Sequence, residues 1–431
     1  MVAKNFLIFL IFALSYFRML RLAEPKVFPQ EVEALQQIAA KLGAKYWEFD
    51  GDSCEVVKVG VTTEIPKGSE STVACECNFL NDTFCHVVNI TLKGFSLPGI
   101  LPPELAKLPH LREIDFAYNY LYGTIPQEWA SMQLTSISVL VNRLSGEIPK
   151  TLGSITSLTY LCLEVNQFSG NIPPELGSLI NLQTLILSSN QLTGNLPTSF
   201  AGLINLTDLR INDNNFSGRI PEFIKNCLQL NRLKMSDIIS PRQLFPNLSN
   251  MTGLVTLVLR SCNISGEIPS YIWNLEELEV VDLSFNRLVG EIPATITAKR
   301  LRFIIYSDAS ISFVFLMYFG DQFFFMSAKT PDFVLASFLT GNILSGQVPD
   351  SILKDGTSVD LSYNNFSWQS SDQQACRDNL DLNLNLYKSS SQENNLSRAV
   401  PCLDNFRCSR CMYFSVSCKT CIGYNAFLYE K

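Results

Sequence analysis

Histidine, charge and long hydrophobic runs are all scarce in this 431-residue sequence. Its two histidines, His86 and His110, have no nucleophile or metal-ligand motif beside them, so we expect no histidine-dependent catalysis and no metal centre. Charged residues make up 17% of the chain, and a net charge of -7 without a basic run argues against nucleic acid as a partner. The apolar run Phe6–Leu14 is too short to span a bilayer.

The first residues predict a secretory signal peptide over 1–23. A single lysine precedes the apolar run, and small residues allow cleavage after Ser15 or after Ala23. An uncleaved anchor is the alternative, because Arg18 and Arg21 flank the apolar run. We therefore expect the chain to enter the secretory pathway and to reach the cell surface or the extracellular space.

One phrase recurs about every 24 residues through the middle of the chain. Its pattern is L-x-x-L-x-L-x-x-N-x-L-x-G-x-I-P, with the asparagine at Asn119, Asn142, Asn166, Asn190, Asn214 and Asn286. The same frame reaches three positions where another residue replaces the asparagine, Phe95, Ile238 and Cys262, and two late positions that keep it, Asn342 and Asn364. A fixed period of this size is the pattern of a leucine-rich repeat, in which each repeat buries its apolar face against its neighbours. It predicts an α/β solenoid of about eleven repeats, over 88–301 and 338–368.

Each repeat is expected to contain a short strand followed by a turn that the asparagine stabilises. The segment L-x-x-L-x-L predicts a short strand whose leucines point inward and whose x residues lie on a concave face. The asparagine predicts a structural cap, because its amide can pair with backbone groups that the following turn leaves unsatisfied.

The residues before the repeats, 24–87, predict a capping domain. The stretch "EVEALQQIAAKLG" places Val32, Leu35, Ile38 and Leu42 on one helical face. A terminal repeat exposes its core edge, so a helix and disulfides that close this edge suit an exported protein. We prefer the pairing of Cys54 with Cys75 and of Cys77 with Cys85, although four cysteines allow three connectivities and a zinc site is the alternative.

Nine N-x-S/T sequons agree with export, since each is an acceptor for N-glycosylation. They are Asn81, Asn89, Asn205, Asn215, Asn247, Asn250, Asn263, Asn365 and Asn395. Those at Asn215, Asn263 and Asn365 directly follow a predicted strand, where a sugar does not obstruct the stacking of repeats.

Two stretches break the repeat design. Residues 302–337 form an aromatic, apolar insert that is out of phase with the period. We favour translated intron sequence or an error in the gene model over a ligand-binding island, because the insert would expose phenylalanines to water. Residues 369–431 carry C-x-x-C at Cys408 and at Cys418, which invites zinc. The short spacing between these pairs and the predicted export favour oxidation instead.

The cap "CECNFLNDTFCHVVNITLKG", the repeated "LSGEIP" and the stretch "DNLDLNLNLYKSSSQENN" together resemble the ectodomain of plant leucine-rich-repeat receptor-like serine/threonine kinases with a malectin-like domain. The resemblance runs from about Glu31 to Cys418, apart from the insert, and implies a plant-type superhelix. In that family "LNLNLYKSSS" leads into a malectin-like domain, a membrane helix and a kinase. The resemblance therefore implies that 369–431 holds a truncated start of the malectin-like domain. These residues contain no Gly-rich phosphate loop, no V-A-I-K, no H-R-D and no D-F-G, so we expect neither kinase activity nor a cofactor.

The x positions of the predicted strands show where a ligand would bind. Arg210 and Lys234 fall in one column, and Arg260 continues the neighbouring column. Repeats stack at roughly 4.8 Å, so these residues and Arg232 could converge on an acidic group, with Tyr160 adding aromatic contact. The alternative is a solvated charged face, because several aspartates lie among them.

Two functions follow. The first is an extracellular receptor region that binds a peptide, protein or carbohydrate ligand from the wall or its surroundings, and that acts with a co-receptor kinase. On this interpretation the chain meets the membrane only through a helix encoded downstream. The alternative is a secreted binder or inhibitor of wall or pathogen proteins that does not signal.

Overall fold

The computed structural model describes residues 26–79 and 82–291 in full, and between 318 and 385 it describes seven short strands. The chain divides into two compact units, residues 1–239 and 240–431.

Several expectations fall on the remaining residues. The predicted signal peptide at 1–23 lies outside the described residues. Of the insert at 302–337, the repeats at 338–368 and the tail at 369–431, only the short strands are described. In the described part of the chain, no helix has the length and apolar character needed to cross a membrane.

The first unit begins with the helix α1, Pro29–Leu42. Pro29 stands at the first helical turn, where its missing N–H would have no intrahelical partner anyway. Gly43 ends the helix in the left-handed conformation, with φ of 80°. Leu35 and Ile38 are at most 1% exposed, so the apolar face predicted from the sequence is the buried face.

Four strands follow the helix: β1 Tyr46–Asp50, β2 Glu55–Gly60, β3 Glu70–Glu76 and β4 His86–Lys93. β1 pairs antiparallel with β2, and β3 pairs antiparallel with β4. Disulfides join Cys54 to Cys75 and Cys77 to Cys85, the pairing that we preferred among the three connectivities. Helix, hairpins and disulfides together form the segment 26–93, which we call the cap.

The repeats of the first unit add strands to two parallel sheets. In chain order they are β5 Glu113–Asp115, β6 Tyr122–Gly123, β7 Ser136–Ser138, β8 Arg143–Glu147, β9 Tyr160–Cys162, β10 Gln167–Asn171, β11 Thr184–Ile186, β12 Gln191–Gly194, β13 Asp208–Arg210, β14 Asn215–Phe216 and β15 Arg232–Ser236. The odd-numbered strands continue from β4 in one sheet. The even-numbered strands form the second sheet.

Short 3-10 helices lead the chain from the second sheet back to the first. They are Pro103–Lys107, Gln127–Ser131, Lys150–Ser154, Pro174–Ser178, Thr198–Gly202 and Glu222–Asn226. Between the helices and the sheets lies a continuous core of leucines and isoleucines, most of them less than 3% exposed. This architecture is a leucine-rich-repeat solenoid, as the period predicts.

An asparagine side chain ties each regular repeat to the one before it, and Asn214 is typical. Its Oδ1 accepts a hydrogen bond from the Leu192 N–H at 3.0 Å. Its Nδ2 donates to the carbonyl oxygens of Leu187, Ile211 and Asn212 at 3.0, 3.2 and 3.2 Å. The same pattern of bonds recurs at Asn119, Asn142, Asn166, Asn190 and Asn286. The structural role predicted for the asparagines is therefore the one that the structure has.

We call the asparagine position of each repeat the ladder position. The residue before each ladder position has a left-handed backbone. Its φ lies between 52° and 57° at Tyr118, Val141, Val165, Ser189, Asp213, Asp237, Ser261 and Phe285. A β-branched residue rarely adopts this conformation, so the presence of Val141 and Val165 shows that the turn imposes it.

The second unit repeats the same arrangement. Its fully described strands are β16 Gln243–Leu244, β17 Thr256–Arg260, β18 Ile264–Glu267, β19 Val280–Asp282 and β20 Arg287–Val289, with a 3-10 helix at Ser270–Asn274. β17 pairs in parallel with β19, whereas β16, β18 and β20 form the second sheet. Cys262 stands at the asparagine position, and its Sγ lies 3.2 Å from the carbonyl oxygen of Arg260.

Seven short strands complete the second unit: β21 Tyr318–Phe319, β22 Gln322–Phe323, β23 Leu335–Phe338, β24 Ser345–Gln347, β25 Thr357–Asp360, β26 Asn365–Ser367 and β27 Asn383–Asn385. β19 pairs in parallel with β23, β23 with β25, and β25 with β27. β23 begins at Leu335, inside the range predicted as the insert, and its last residue, Phe338, pairs with Asp282 of β19. β27, in the segment assigned to the tail, extends that sheet.

Candidate ligand-binding face

The first sheet of the first unit presents two columns of side chains. The middle residue of each short strand is buried, and the residues on either side of it lie in register from strand to strand. The first column is Asn89, Glu113, Ser136, Tyr160, Thr184, Asp208 and Arg232, and the second is Thr91, Asp115, Ser138, Cys162, Ile186, Arg210 and Lys234. We call these two columns the strand face.

Three of the predicted ligand-binding residues meet at one end of the strand face. Arg210 stands opposite Lys234, and Arg232 stands opposite Asp208. Arg210 donates two hydrogen bonds to the Asp208 carboxylate, at 2.9 and 2.8 Å. Nη1 of Arg232 lies 3.5 Å from the same carboxylate. We call Arg210, Arg232 and Lys234 the basic cluster; its geometry depends on Asp208, which is only 6% exposed.

Two other aspartates near the basic cluster are bound to their own neighbours. The Asn212 amide donates to Asp213 at 2.6 Å, and the Ser236 hydroxyl donates to Asp237 at 2.6 Å. The Arg232 side chain is about half exposed, at 52%. Among the cluster's cations, Arg232 is therefore the best placed to meet a ligand, while the bidentate bond to Asp208 orients Arg210.

Burial makes the charges around the basic cluster depend on one another. Burial lowers the pKa of Lys234, and the neighbouring positive charge of Arg210 lowers it further. Burial raises the pKa of Glu164, although Arg210 and Lys234 oppose that shift. A negatively charged ligand group at this end would favour the charged form of Lys234.

Tyr160 lies in the middle of the strand face, next to Cys162. Burial raises the pKa of the Tyr160 hydroxyl above its usual range, and burial raises the pKa of the Cys162 thiol to about 11. Both side chains are neutral at physiological pH and offer a ligand apolar contact and a hydroxyl group rather than charge.

A recess of about 250 Å³ occupies the other end of the strand face. We call it the polar recess; its lining is Asn89, Thr91, Glu113, Ile114, Asp115, Ser136, Ser138 and Tyr160. The Asn89 amide donates to Glu113 at 2.8 Å, and Asp115 accepts from the Ala117 N–H at 2.9 Å. Two carboxylates thus lie at this end, whereas the cations lie at the other.

Sequence reasoning missed the polar recess although its residues occupy the same x positions as the basic cluster. Glu113 and Asp115 stand in the strand "EID", in the frame of Asn119. A search of all x positions for carboxylates as well as for cations would have found them. Four strand spacings separate β5 from β13 and five separate it from β15, so the two ends lie roughly 19 to 24 Å apart at about 4.8 Å per strand.

Arg260, the remaining predicted ligand-binding residue, belongs to the second unit. Its guanidinium lies over the ring of Phe285, 5.2 Å from the ring centroid. This cation-π contact holds the side chain against its own unit.

The two histidines lie together in and beside the cap. His86 is 5% exposed, and its ring nitrogens lie 2.6 Å from Glu31 Oε1 and 2.9 Å from Asp82 Oδ2. The ring centroid of His110 is 4.4 Å from that of His86. The sequence shows no nucleophile or metal-ligand motif beside either histidine, but the fold of the cap brings the Glu31 carboxylate to His86 from 55 positions away.

Burial lowers the pKa of His86, but the hydrogen bonds to the two carboxylates more than offset this effect, and the pKa is raised overall. Glu31, itself 1% exposed, also accepts a hydrogen bond from the Val87 N–H at 2.8 Å. The arrangement clamps α1 to the start of β4.

The predicted glycosylation sites occupy different environments. Asn89 lies in the polar recess, and Asn263 is partly buried. Four acceptors are exposed: Asn205, Asn215, Asn247 and Asn250. Asn81, Asn365 and Asn395 lie outside the residues whose side chains are described. Within the described residues, no group of three His, Cys, Asp or Glu side chains is placed to hold a metal ion.

Comparisons with known proteins agree with this architecture. The family described as "Leucine-rich repeat region" matches residues 142–266, and the "Leucine Rich Repeat" family matches residues 277–298. The Arabidopsis thaliana protein "Probable LRR receptor-like serine/threonine-protein kinase RFK1" is 47% identical, over 99% of this chain and 40% of that protein. The chain thus spans about two fifths of the length of this relative.

Two solved structures are also similar. The plant peptide hormone receptor RGFR1, in complex with RGF2, has a TM-score of 0.52 and 28% identity, over 68% of this chain and 45% of that chain. The Arabidopsis receptor kinase HAESA, in complex with the peptide hormone IDA and the co-receptor SERK1, has a TM-score of 0.51 and 26% identity, over 68% of this chain and 52% of that chain.

Proposed function

We propose that this chain, which belongs to the leucine-rich-repeat proteins and corresponds to the ectodomain of plant LRR receptor-like serine/threonine kinases, recognises an extracellular peptide on its strand face. The observation that carries the proposal is the uneven charge along the strand face: Glu113 and Asp115 lie in the polar recess, whereas the three cations of the basic cluster lie at the other end with one buried carboxylate, Asp208. The similar ectodomains of RGFR1 and HAESA, which are solved with peptide ligands, support it.

The dimensions of the strand face favour a short extended peptide. An extended chain advances about 3.3 Å per residue, so about six to seven residues cover the roughly 19 to 24 Å between the two ends. The acidic side chains or terminal carboxylate of the peptide would meet Arg232 and Arg210. Its amine, basic or hydroxyl groups would meet Glu113 and Asp115, while Tyr160 would contact its middle.

The test is a binding titration with two libraries of short synthetic peptides, identical except that one has free C-terminal carboxylates and the other has amides. We expect Arg232→Ala to weaken binding of the best peptide roughly tenfold, equivalent to about 1.4 kcal/mol. Arg219→Ala is the matched control, because Arg219 is exposed but is not in the strand face. Equal binding by both variants would contradict the proposal.

The full-length protein would connect this recognition to signalling. The resemblance of "LNLNLYKSSS" to the family's post-repeat segment supports a downstream malectin-like domain, membrane helix and serine/threonine kinase, and therefore a place at the cell surface. HAESA is solved with a co-receptor, which supports a co-receptor kinase as a partner here too. A full-length read of the native transcript, from the signal peptide past Lys431, tests this part: a reading frame without membrane and kinase segments would favour the secreted binder.

A further inference from the structure

Three exposed aliphatic side chains form a column on the first unit, away from the strand face. Ile180 is 57% exposed, Ile204 is 60% exposed and Leu228 is 53% exposed. Each follows a 3-10 helix, and in each the backbone N–H donates to the carbonyl oxygen two residues earlier at 2.9 Å. Identical turns in successive repeats therefore place these side chains at equivalent positions of neighbouring repeats. We call them the aliphatic stripe.

Contiguous exposed apolar surface usually has an occupant, whereas single exposed apolar residues need none. The sequon asparagine Asn205 lies beside the middle of the stripe. It directly follows Ile204, is exposed, and its Nδ2 donates to the carbonyl oxygen of Ile180 at 2.9 Å. This hydrogen bond holds the amide across the Ile180 and Ile204 repeats.

We infer that Asn205 carries an N-linked glycan whose first sugars lie over the aliphatic stripe and shield it from water and from other proteins. The inference rests on passage through the secretory pathway and is independent of peptide binding. An asparagine Nδ2 has two hydrogens. One remains for the bond to Ile180, and the other is replaced by the sugar.

The sugar donor for this modification is an oligosaccharide linked to a lipid pyrophosphate. The bond from Nδ2 to the sugar C1 forms as the bond from C1 to the pyrophosphate oxygen breaks, and the displaced Nδ2 proton leaves with the lipid pyrophosphate. The apolar faces of the first sugars then cover aliphatic carbon, which removes that carbon from water.

The chain contains a matched control for this site. Asn181 holds the equivalent position one repeat earlier, and its Nδ2 donates to the Thr156 carbonyl oxygen at the same distance of 2.9 Å. Asn181 is not in a sequon, because Gln183 stands where Thr207 completes the sequon of Asn205. Asn181→Gln therefore changes an equivalent hydrogen bond without changing any glycan.

The test compares the wild-type chain, Asn205→Gln and Asn181→Gln, all secreted from a eukaryotic host. Mass spectrometry should show a glycan on the wild-type peptide that contains Asn205. Binding of a hydrophobic fluorescent dye and self-association should rise severalfold in Asn205→Gln and stay near wild-type in Asn181→Gln. Exchanging all three stripe residues for glutamine, which creates no sequon, in the Asn205→Gln background should abolish the rise.

A second pair leaves Asn205 in place. Thr207→Ala removes the sequon and the hydroxyl bond to the Gln183 carbonyl oxygen, whereas Thr159→Ala removes the equivalent bond to Thr135 without affecting a sequon. We expect increased dye binding only in Thr207→Ala. Gln183→Thr, which completes a sequon at Asn181, should add a second glycan and lower dye binding by Asn205→Gln.

Two results would overturn the inference. The first is an unmodified Asn205 in the secreted wild-type chain, which would leave the stripe to a protein partner. The second is equal dye binding within both matched pairs, which would show that a glycan at Asn205 does not cover the stripe. Unchanged peptide binding by Asn205→Gln keeps either result distinct from failure of the proposed function.

Discussion

The cap and the repeats of the first unit are held together by different kinds of link. In the repeats, a side chain such as Asn214 bonds to partners 2, 3, 22 and 27 positions away, and the same spacings recur at other repeats. In the cap, the decisive links span 8, 21 and 55 positions, and each occurs once. The repeats are therefore stabilised by the same hydrogen bonds in one repeat after another, whereas the cap is stabilised by individual long-range links.

The largest expected effect is the loss of one ladder asparagine. Asn214→Ala removes four hydrogen bonds; the Leu192 N–H and the Ile211 carbonyl oxygen lose these partners, whereas the carbonyl oxygens of Leu187 and Asn212 keep bonds from Asn190 and Ser189. At about 1–3 kcal/mol for each unsatisfied buried group, with partial relaxation, we expect a loss of about 3–5 kcal/mol in the free energy of unfolding. Denaturant unfolding measures it. The exposed Asn171, which accepts only from the Thr193 hydroxyl, gives the control Asn171→Ala, with a change below about 0.5 kcal/mol. Similar losses of unfolding free energy in the two variants would show that the asparagines at the ladder positions stabilise the repeats no more than an exposed asparagine does.

The next effect tests the links of the cap. Exchanging both Cys54 and Cys75 for serine opens a disulfide that spans 21 positions, so the unfolded chain gains conformational entropy. We expect a loss of about 3 kcal/mol, with the cap cleaved by protease before the repeats. Cys227→Ala, which removes a free buried thiol from a repeat, is the control and should leave the cap resistant. Simultaneous cleavage of cap and repeats would mean that the two regions unfold as one.

The third effect is a pH dependence confined to the cap. The groups facing His86 are Glu31 from α1, Asp82 from the preceding loop and His110. Because the folded pKa of His86 is raised, its stabilising contribution is complete below the unfolded value of about 6.5 and is lost as the pH rises through the folded pKa.

The pKa of Asp82 is lowered, first by a hydrogen bond from the Phe84 N–H and then by His86, so its contribution is lost only at acid pH. Thermal unfolding of the cap from mildly acidic to mildly alkaline pH should show the decline, and His86→Gln should flatten it. A variant with the same slope as the wild-type chain would assign the decline to another group.

The smallest effect concerns the joint between cap and repeats. Arg112, just before β5, donates to both carboxylate oxygens of Glu76 in β3, at 2.8 and 3.0 Å. Both side chains are nearly half exposed, so solvent screens the pair, and we expect Arg112→Ala to lower the free energy of unfolding by at most about 1 kcal/mol. The loss should shrink as salt is added. A larger, salt-independent loss would show that the joint relies on this pair.

The solenoid was predictable because the period of the sequence is the period of the structure. The prediction of a leucine-rich-repeat fold is confirmed, and the frame that places Arg210 beside Lys234 is the observed register. The assignment of 302–337 as out of phase identified a break in the period. The strand that pairs with β19 begins at Leu335, inside the range assigned to the insert, so the period alone did not define where the sheet resumes.

The polar contacts of the site were harder to predict. Asp208 appeared in the sequence as one aspartate among several on a charged face, yet it is buried and binds two arginines. Glu31 lies in the first turn of a helix, where an exposed carboxylate is the ordinary expectation. Its burial against His86 depends on how α1 packs on β4, and no spacing in the sequence encodes this.

The sequence by itself determined the period, the strands, the ladder asparagines and the columns of side chains on the strand face. It could do so because each repeat contacts mainly its neighbours, so a position in the frame already defines its partners. Tertiary structure decided which charges are paired, which are desolvated and which meet across long stretches of chain. These properties depend on burial and on distances of a few ångströms, and the positions of residues along a chain do not contain them.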